Sequence, residues 1–311
     1  VSAAPTILAV KRAIAVEPEC WRKPDLVAAV EAAGTRVVPA DQATALIWAD
    51  PQHPELFPTL LHDQIDWVQL PYAGIGPFLH MLDTDRHWTC GKGVYAQPVA
   101  EAALAMLLAG FRNLVDYARA TSWQGPVGQN LHGANVVILG GGGITEELVP
   151  LLAPFGCTVT VLRRTPTPFP GADATLTLDS LHDVLPAADA VVLGLALTPE
   201  TQGVIGASEL NAMKSTAWIV NVARGGHIDT DALVHALQAQ TIGGAALDVT
   251  DPEPLPDGHP LWELANCLIT PHVANTPEMG LRLLSSRVTA NAKAYLAGEP
   301  LLGSVDIEAG Y

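Results

Sequence analysis

The sequence predicts an α/β protein of two domains, the larger built on a doubly wound parallel sheet. Three observations carry this. From about residue 134, apolar β-branched runs alternate regularly with helical patterns. A run of four glycines lies directly between the first of those runs and its helix. Charged or titratable residues follow three of the later runs, in segments where a sheet of this kind places its functional groups.

The runs are NVVILG (135–140), TVTVL (158–162), AVVLGL (190–195), AWIVNV (217–222), GGAALDV (243–249) and CLIT (267–270), with helical patterns near 146–155, 178–186, 207–214 and 230–239. Strands apolar on both faces and separated by helices belong to a parallel sheet covered on both sides. The first hundred residues repeat the theme more weakly. TILAV, TRVVP, TALIWA, WVQLP and GVYA read as short strands, and DLVAAVEAAG as a helix ended by Gly34. Together they form a smaller, flavodoxin-like α/β lobe. Residues 97–120 read as one long helix with Pro98 at its start, where a missing N–H costs little. A last helix spans 277–298 and follows the final strand of the larger domain. The expected division is 1–97 plus 277–311 against 98–276.

The chain has 311 residues, 49% of them hydrophobic, enough for two cores. Its net charge of −16 argues against nucleic acid or an anionic membrane surface as partner. Cys20, Cys90, Cys157 and Cys267 are far apart with no metal-site spacing, so no metal centre or disulfide framework is expected. The longest clean apolar run, Ala102 to Phe111, is too short for a membrane span. The N-terminus does not read as a signal peptide, and a soluble, cytoplasmic protein is expected.

The segment LGGGGITEE (139–147) has the place and composition of a loop that cradles a dinucleotide pyrophosphate. Gly140 and Gly142 fit the tight turn and the close backbone approach, with Gly143 and Ile144 opening the helix. Thr145 stands where the third glycine is usual, a position concerned with helix packing rather than phosphate contact. A threonine there is expected to push the helix outward slightly. Glu146 and Glu147 oppose an anion in the same field, by about 2 kcal/mol each at roughly 8 Å and an effective dielectric near 20. Solvation would reduce that cost.

NVARGG (221–226) places Arg224 after the fourth run, LDVTDPEP (247–254) places Glu253 after the fifth, and TPHVAN (270–275) places His272 after the sixth. The carboxyl ends of parallel strands open on one crevice, so these three should converge. An arginine fork binds a carboxylate bidentately. A histidine moves a proton near neutrality, and a carboxylate holds its ring. The set suits reduction of a 2-keto acid by a nicotinamide cofactor. Taken singly, each residue also reads as an ordinary loop or surface group. A non-catalytic, nucleotide-sensing or scaffold protein on the same fold is the alternative.

The stretch LTPETQGVIGASELNAMKSTAWIVNVARGGHID, followed by GGAALDVTDPEPLPDGHPLW and CLITPHVAN, resembles the D-isomer-specific 2-hydroxy acid dehydrogenases, of the glyoxylate/hydroxypyruvate reductase kind, over almost the whole chain. The resemblance implies that Arg224 binds the substrate's carboxylate and carbonyl, that His272 is the acid/base and that Glu253 is its partner. It also implies a lobe made from both chain ends and a homodimer built around the long helix. In PYAGIGPF (71–78), the N–H groups near Ala73 and Gly74 would receive the substrate carboxylate. Thr201, Val222, Ala223 and Asp248 are further expected cofactor contacts. Three departures from the family pattern stand out: Thr145 for glycine, Ala196 for a common proline, and Thr276 reached one residue early after His272.

Trp48, Tyr72 and Phe78 are the candidates for the substrate's far end. Neither stretch around them contains lysine or arginine, which points to a small or apolar keto acid rather than a phosphorylated one. After TVTVL come Arg163, Arg164 and Thr165, eighteen residues and more past Thr145, where an NAD-preferring enzyme places an acid. Guanidinium groups can grip a 2′-phosphate, so NADP is the expected cofactor, with NAD a poor substitute.

Overall fold

The computed structural model describes residues 12–307. Two compact units divide the chain: residues up to Tyr95 together with those from Pro277, and Ala96–Thr276.

The first unit has a four-stranded parallel sheet of β1 (Ile14–Glu17), β2 (Ala45–Trp48), β3 (Trp67–Gln69) and β4 (His87–Thr89), adjacent in that order. TILAV lies outside the described residues, and the first described strand, β1, was not expected. TRVVP contributes only a single parallel bridge from Val37 to Ile14 on the free side of β1. Counting that bridge as a vestigial second strand gives the flavodoxin-like order. The first three residues of GVYA form a turn rather than a strand and its Ala96 opens a helix, while β4 lies just before it. Helix α1 (Lys23–Glu31) begins after Arg22 and is followed by Gly34 at φ +94°. One face of the sheet packs Leu26, Val30, Leu284, Val288 and Tyr295 from α1 and the last helix; the other is filled by Trp48, Phe57, Phe78 and Trp88.

The second unit begins with α2 (Ala96–Phe111) and α3 (Leu114–Arg119). The single helix expected over 97–120 is therefore broken. Asn113 adopts φ +52°, ψ +34°, a left-handed conformation that asparagine tolerates better than most residues. Seven parallel strands follow: β5 (Asn135–Leu139), β6 (Thr158–Leu162), β7 (Ala174–Leu176), β8 (Ala190–Leu193), β9 (Trp218–Asn221), β10 (Gly244–Leu247) and β11 (Cys267–Ile269). Their order is β11-β10-β9-β8-β5-β6-β7. The chain runs outward from β5 in one direction and resumes from β8 in the other. The β5/β8 boundary is thus the topological switch point, beside which such sheets bind ligands.

Helices α4 (Gly143–Leu152), α5 (Leu181–Val184), α6 (Ala207–Ala212) and α7 (Thr230–Gln238) connect the strands, with buried clusters on both sheet faces. The pattern at 178–186 forms short 3₁₀ turns around a four-residue α5 rather than one helix. Helix α8 (Pro277–Ala297) returns to the first unit and packs on α1. No helix among the described residues is long and apolar enough to cross a membrane.

Candidate active site

The glycine loop is set by β5 and β6. Gly140 N–H donates to the Leu162 carbonyl at 2.7 Å, and Gly194 N–H to Leu139 at 2.8 Å. Gly140 sits at φ +110°, and a Cβ there would lie 2.7 Å from the Gly194 backbone, so both torsion and space require glycine. A Cβ on Gly142 would meet nothing within 4 Å. The backbone there faces open space, as a loop approached by a pyrophosphate requires. The N–H groups of Gly143 and Ile144 begin α4 without intrahelical acceptors, the usual state of a helix start and one suited to a phosphate.

Thr145 is fully buried, and its hydroxyl donates to the Gly140 carbonyl at 2.8 Å. Threonine therefore fastens the loop to the helix's first turn. Glu146 and Glu147 are both exposed, so water screens their field at the helix mouth. Arg163 crosses the loop: a Cβ on Gly141 would lie 3.0 Å from its Cδ and Nε. Its guanidinium stands 5.8 Å from the Phe169 ring centre. Arg164 and Thr165 beside it are exposed. The open cradle, the free helix amides and the adjacent guanidinium fit a dinucleotide.

Arg224, Glu253 and His272 follow β9, β10 and β11, three neighbouring strands whose carboxyl ends share one edge of the sheet. His272 Nδ1 and Glu253 Oε1 are 2.6 Å apart, and both side chains remain substantially exposed. This leaves Nε2 as the free ring nitrogen. His272 has φ +53°, a strained conformation for a non-glycine residue, of a kind often found at functional sites. Asp248 holds that turn. Its carboxylate accepts from Thr270 Oγ1 (2.6 Å), Val273 N (2.9 Å) and Ala274 N (3.0 Å), while its carbonyl accepts from His272 N (2.8 Å). Asp248, expected as a cofactor contact, is 2% exposed and serves in the structure to shape the histidine loop.

Arg224 is exposed, with Nη1 donating to the Ala223 carbonyl at 2.6 Å. Its backbone is pinned by two fully buried side chains that sequence reasoning missed. Asn221 Nδ2 donates to the Arg224 carbonyl at 2.8 Å, and Asn221 Oδ1 accepts from Ala223 N at 3.0 Å. His227 Nδ1 lies 2.9 Å from the same carbonyl and must carry the proton, since a carbonyl only accepts. Burial pushes the His227 pKa below the usual histidine range, which keeps the ring neutral. Gly225 completes the turn, because a Cβ there would overlap the Thr250 carbonyl at 1.9 Å. Val222 and Ala223 are buried under the turn, and Thr201 closes a separate turn by donating to Ala196 O at 2.8 Å.

In the first unit, Tyr72 and Ala73 are exposed and Gly74 half-buried. The N–H groups of Ala73 and Gly74 reach no acceptor among the described residues. Trp48 and Phe78 correct the expectation placed on them. They are 0% and 1% exposed and belong, with Phe57, to an aromatic core, Trp48 meeting Phe57 edge-on at 4.9 Å. Neither presents surface to a ligand. The stretches around Trp48, Tyr72 and Phe78 contain no basic residue, but the fold brings one from elsewhere: Arg22, fifty positions away in sequence, donates to the Tyr72 hydroxyl at 3.2 Å. No cluster of three or more His, Cys, Asp or Glu suited to a metal ion occurs among the described residues.

A doubly wound sheet with an open glycine loop and a histidine–carboxylate pair at its strand ends is the frame of a dinucleotide-dependent oxidoreductase. The model of the family "D-isomer specific 2-hydroxyacid dehydrogenase, NAD binding domain" matches residues 102–274. An uncharacterized protein in the proB 3′ region of Corynebacterium melassecola is 39% identical over 94% of this chain and 98% of its own length. Glyoxylate/hydroxypyruvate reductase A of Yersinia enterocolitica is 30% identical over 88% of each chain. The crystal structure of a D-isomer specific 2-hydroxyacid dehydrogenase from Xanthobacter autotrophicus Py2, in complex with NADPH and MES, superposes with a TM-score of 0.83 at 28% identity, covering 97% of this chain and all of that one. The chain belongs to the D-isomer specific 2-hydroxyacid dehydrogenase family. It is an NAD(P)-dependent 2-hydroxyacid dehydrogenase, and the scaffold alternative is not favoured.

Proposed function

We propose that the protein reduces a small 2-keto acid to the D-2-hydroxy acid, with NADP as preferred cofactor. The observation that carries this reading is the 2.6 Å His272–Glu253 pair, two strand ends from Arg224. Arg224 is assigned to the substrate's carboxylate and carbonyl, its backbone turn fixed by Asn221 and His227. Bound reduced nicotinamide supplies the hydride. His272, held through Nδ1 by Glu253, donates a proton from Nε2 to the carbonyl oxygen as it gains charge. In the reverse direction the same nitrogen takes that proton from the hydroxyl. Ala73 and Gly74 are assigned as amide donors to the carboxylate, on the strength of N–H groups that reach no acceptor among the described residues. The chain-end unit is the proposed substrate domain, and Ala96–Thr276 the nucleotide domain.

The preference for NADP rests on Arg163 and Arg164. Arg163 lies across the glycine loop, and no carboxylate occurs from residue 148 to 172 to accept ribose hydroxyls. The NADPH in the Xanthobacter neighbour agrees with this reading. Changing both arginines to serine should raise Kd for NADPH at least tenfold, about 1.4 kcal/mol or more, and barely alter Kd for NADH. Equal losses in fluorescence titrations with the two nucleotides would refute it.

A homodimer is the proposed assembly. Leu114, Trp123 and Val127, which follow α2, are 52%, 101% and 61% exposed, apolar surface that a second copy would cover. Sedimentation should return twice the 32.6 kDa chain mass, and a monomer at micromolar concentration would contradict the assignment.

A further inference from the structure

Arg22 is the last residue before α1 and is only 7% exposed. Its guanidinium stands 5.2 Å from the Tyr72 ring centre and 5.3 Å from that of Trp21. Among the described residues its single hydrogen-bond acceptor is the Tyr72 hydroxyl, and its buried Nε has none. Among the described residues it forms no ion pair, even in a chain with twice as many acids as bases. The adjacent acids do not serve it. Glu17 and Glu19 both bind Lys23, at 3.0 and 2.9 Å.

A buried cation without a counter-ion is costly and is normally paired or matched to a ligand. The surroundings add donors rather than acceptors. Because Tyr72 accepts from Arg22, its own hydroxyl proton is free to donate. The next two N–H groups, of Ala73 and Gly74, reach no acceptor among the described residues. Half-buried Tyr95 donates its hydroxyl to the Pro71 carbonyl, and the Tyr72 carbonyl accepts from Gly91 N at 2.8 Å, so these two carbonyls are already engaged. A Cβ on Gly91 would lie 3.0 Å from the Tyr72 carbonyl carbon and 3.1 Å from Ala73 N, so the loop rests tightly on its floor.

We infer that Arg22 and the Tyr72 hydroxyl form an anion subsite beside the Ala73–Gly74 amides, and that the favoured substrate is a 2-keto acid carrying a second oxyanion, a carboxylate or a phosphate, at its far end. This rests on the 2-keto acid reading above and departs from the expectation of a small or apolar keto acid rather than a phosphorylated one. The arginine fork suits either oxyanion, because both present paired oxygens to its N–H groups.

The test is calorimetric, with oxidised NADP present so that no reduction occurs. Oxaloacetate and 2-oxoglutarate probe a second carboxylate, 3-phosphohydroxypyruvate probes a phosphate, and hydroxypyruvate, a monoanion whose far end is an uncharged hydroxyl, is the neutral-ended reference. At least one charged probe should bind the native protein tenfold or more tightly than hydroxypyruvate. Arg22→Met should abolish that ratio, and Arg22→Lys, which keeps charge but not the fork, should leave an intermediate one. If Arg22→Met does not fold, a selective loss for the charged probe in Arg22→Lys decides the matter. Equal binding of charged and neutral-ended probes by the native protein would overturn the subsite. So would equal weakening of both in the variants, which would make Arg22 a prop for the loop. The same probes with NADPH or NADH then read turnover. An Arg22-dependent ratio without any keto acid reduction would remove the reductase reading and leave the anion site. Reduction of glyoxylate without that ratio would remove the anion site alone.

Discussion

Replacing His272 with alanine lowers kcat by about 10²- to 10⁴-fold, the usual contribution of a positioned general acid/base, and leaves NADPH affinity nearly unchanged. The expectation follows from where the side chain stands. Its Nδ1 is committed to Glu253 at 2.6 Å, and its loop is fastened by Asp248 rather than by the glycine cradle. Removing the imidazole therefore removes a proton carrier without disturbing β5, α4 or the loop between them. Steady-state rates beside fluorescence titration of NADPH separate the two effects. Near-normal turnover in the variant would refute the assignment of His272, and a parallel collapse of nucleotide binding would show that the residue is structural.

Arg224→Lys should lower kcat/KM for a 2-keto acid by about 10- to 100-fold, since losing a charge-assisted hydrogen bond costs about 1.5–3 kcal/mol. The positive charge survives, but the planar fork that grips two oxygens does not. The turn itself should persist, because Asn221 and His227 hold the backbone carbonyl of residue 224 and not its side chain. A kinetic comparison across a keto acid panel checks this. Unaltered kcat/KM would mean that the guanidinium does not meet the substrate.

Much of the fold was legible because apolar runs mark buried parallel strands whatever surrounds them. TVTVL is strand β6 residue for residue, and the runs leading to Arg224, Glu253 and His272 end where the sheet ends. Short, half-buried pieces were not legible. Strand β7 is three residues of intermediate burial, and TRVVP shrinks to a single bridge. The break after α2 turns on one left-handed asparagine in an otherwise helical pattern.

The site divides in the same way. Arg224, Glu253 and His272 could be proposed from sequence because each follows an apolar run and carries side-chain chemistry suited to a 2-keto acid. Asn221, His227 and the positioning role of Asp248 could not, since their partners are backbone N–H and C=O groups that no sequence pattern displays. Trp48 and Phe78 were misplaced because an aromatic residue near a loop suits a core as well as a pocket. Arg22 was missed because only the tertiary fold brings it to Tyr72.

The measurement that bears most directly on the central claim follows the absorbance of NADPH, and separately of NADH, as glyoxylate and hydroxypyruvate are added to the native protein. Saturable oxidation of the nucleotide by a 2-keto acid is expected, faster with NADPH, with the D-2-hydroxy acid as product. Intact binding of nucleotide with no oxidation across these and the charged keto acids would contradict it.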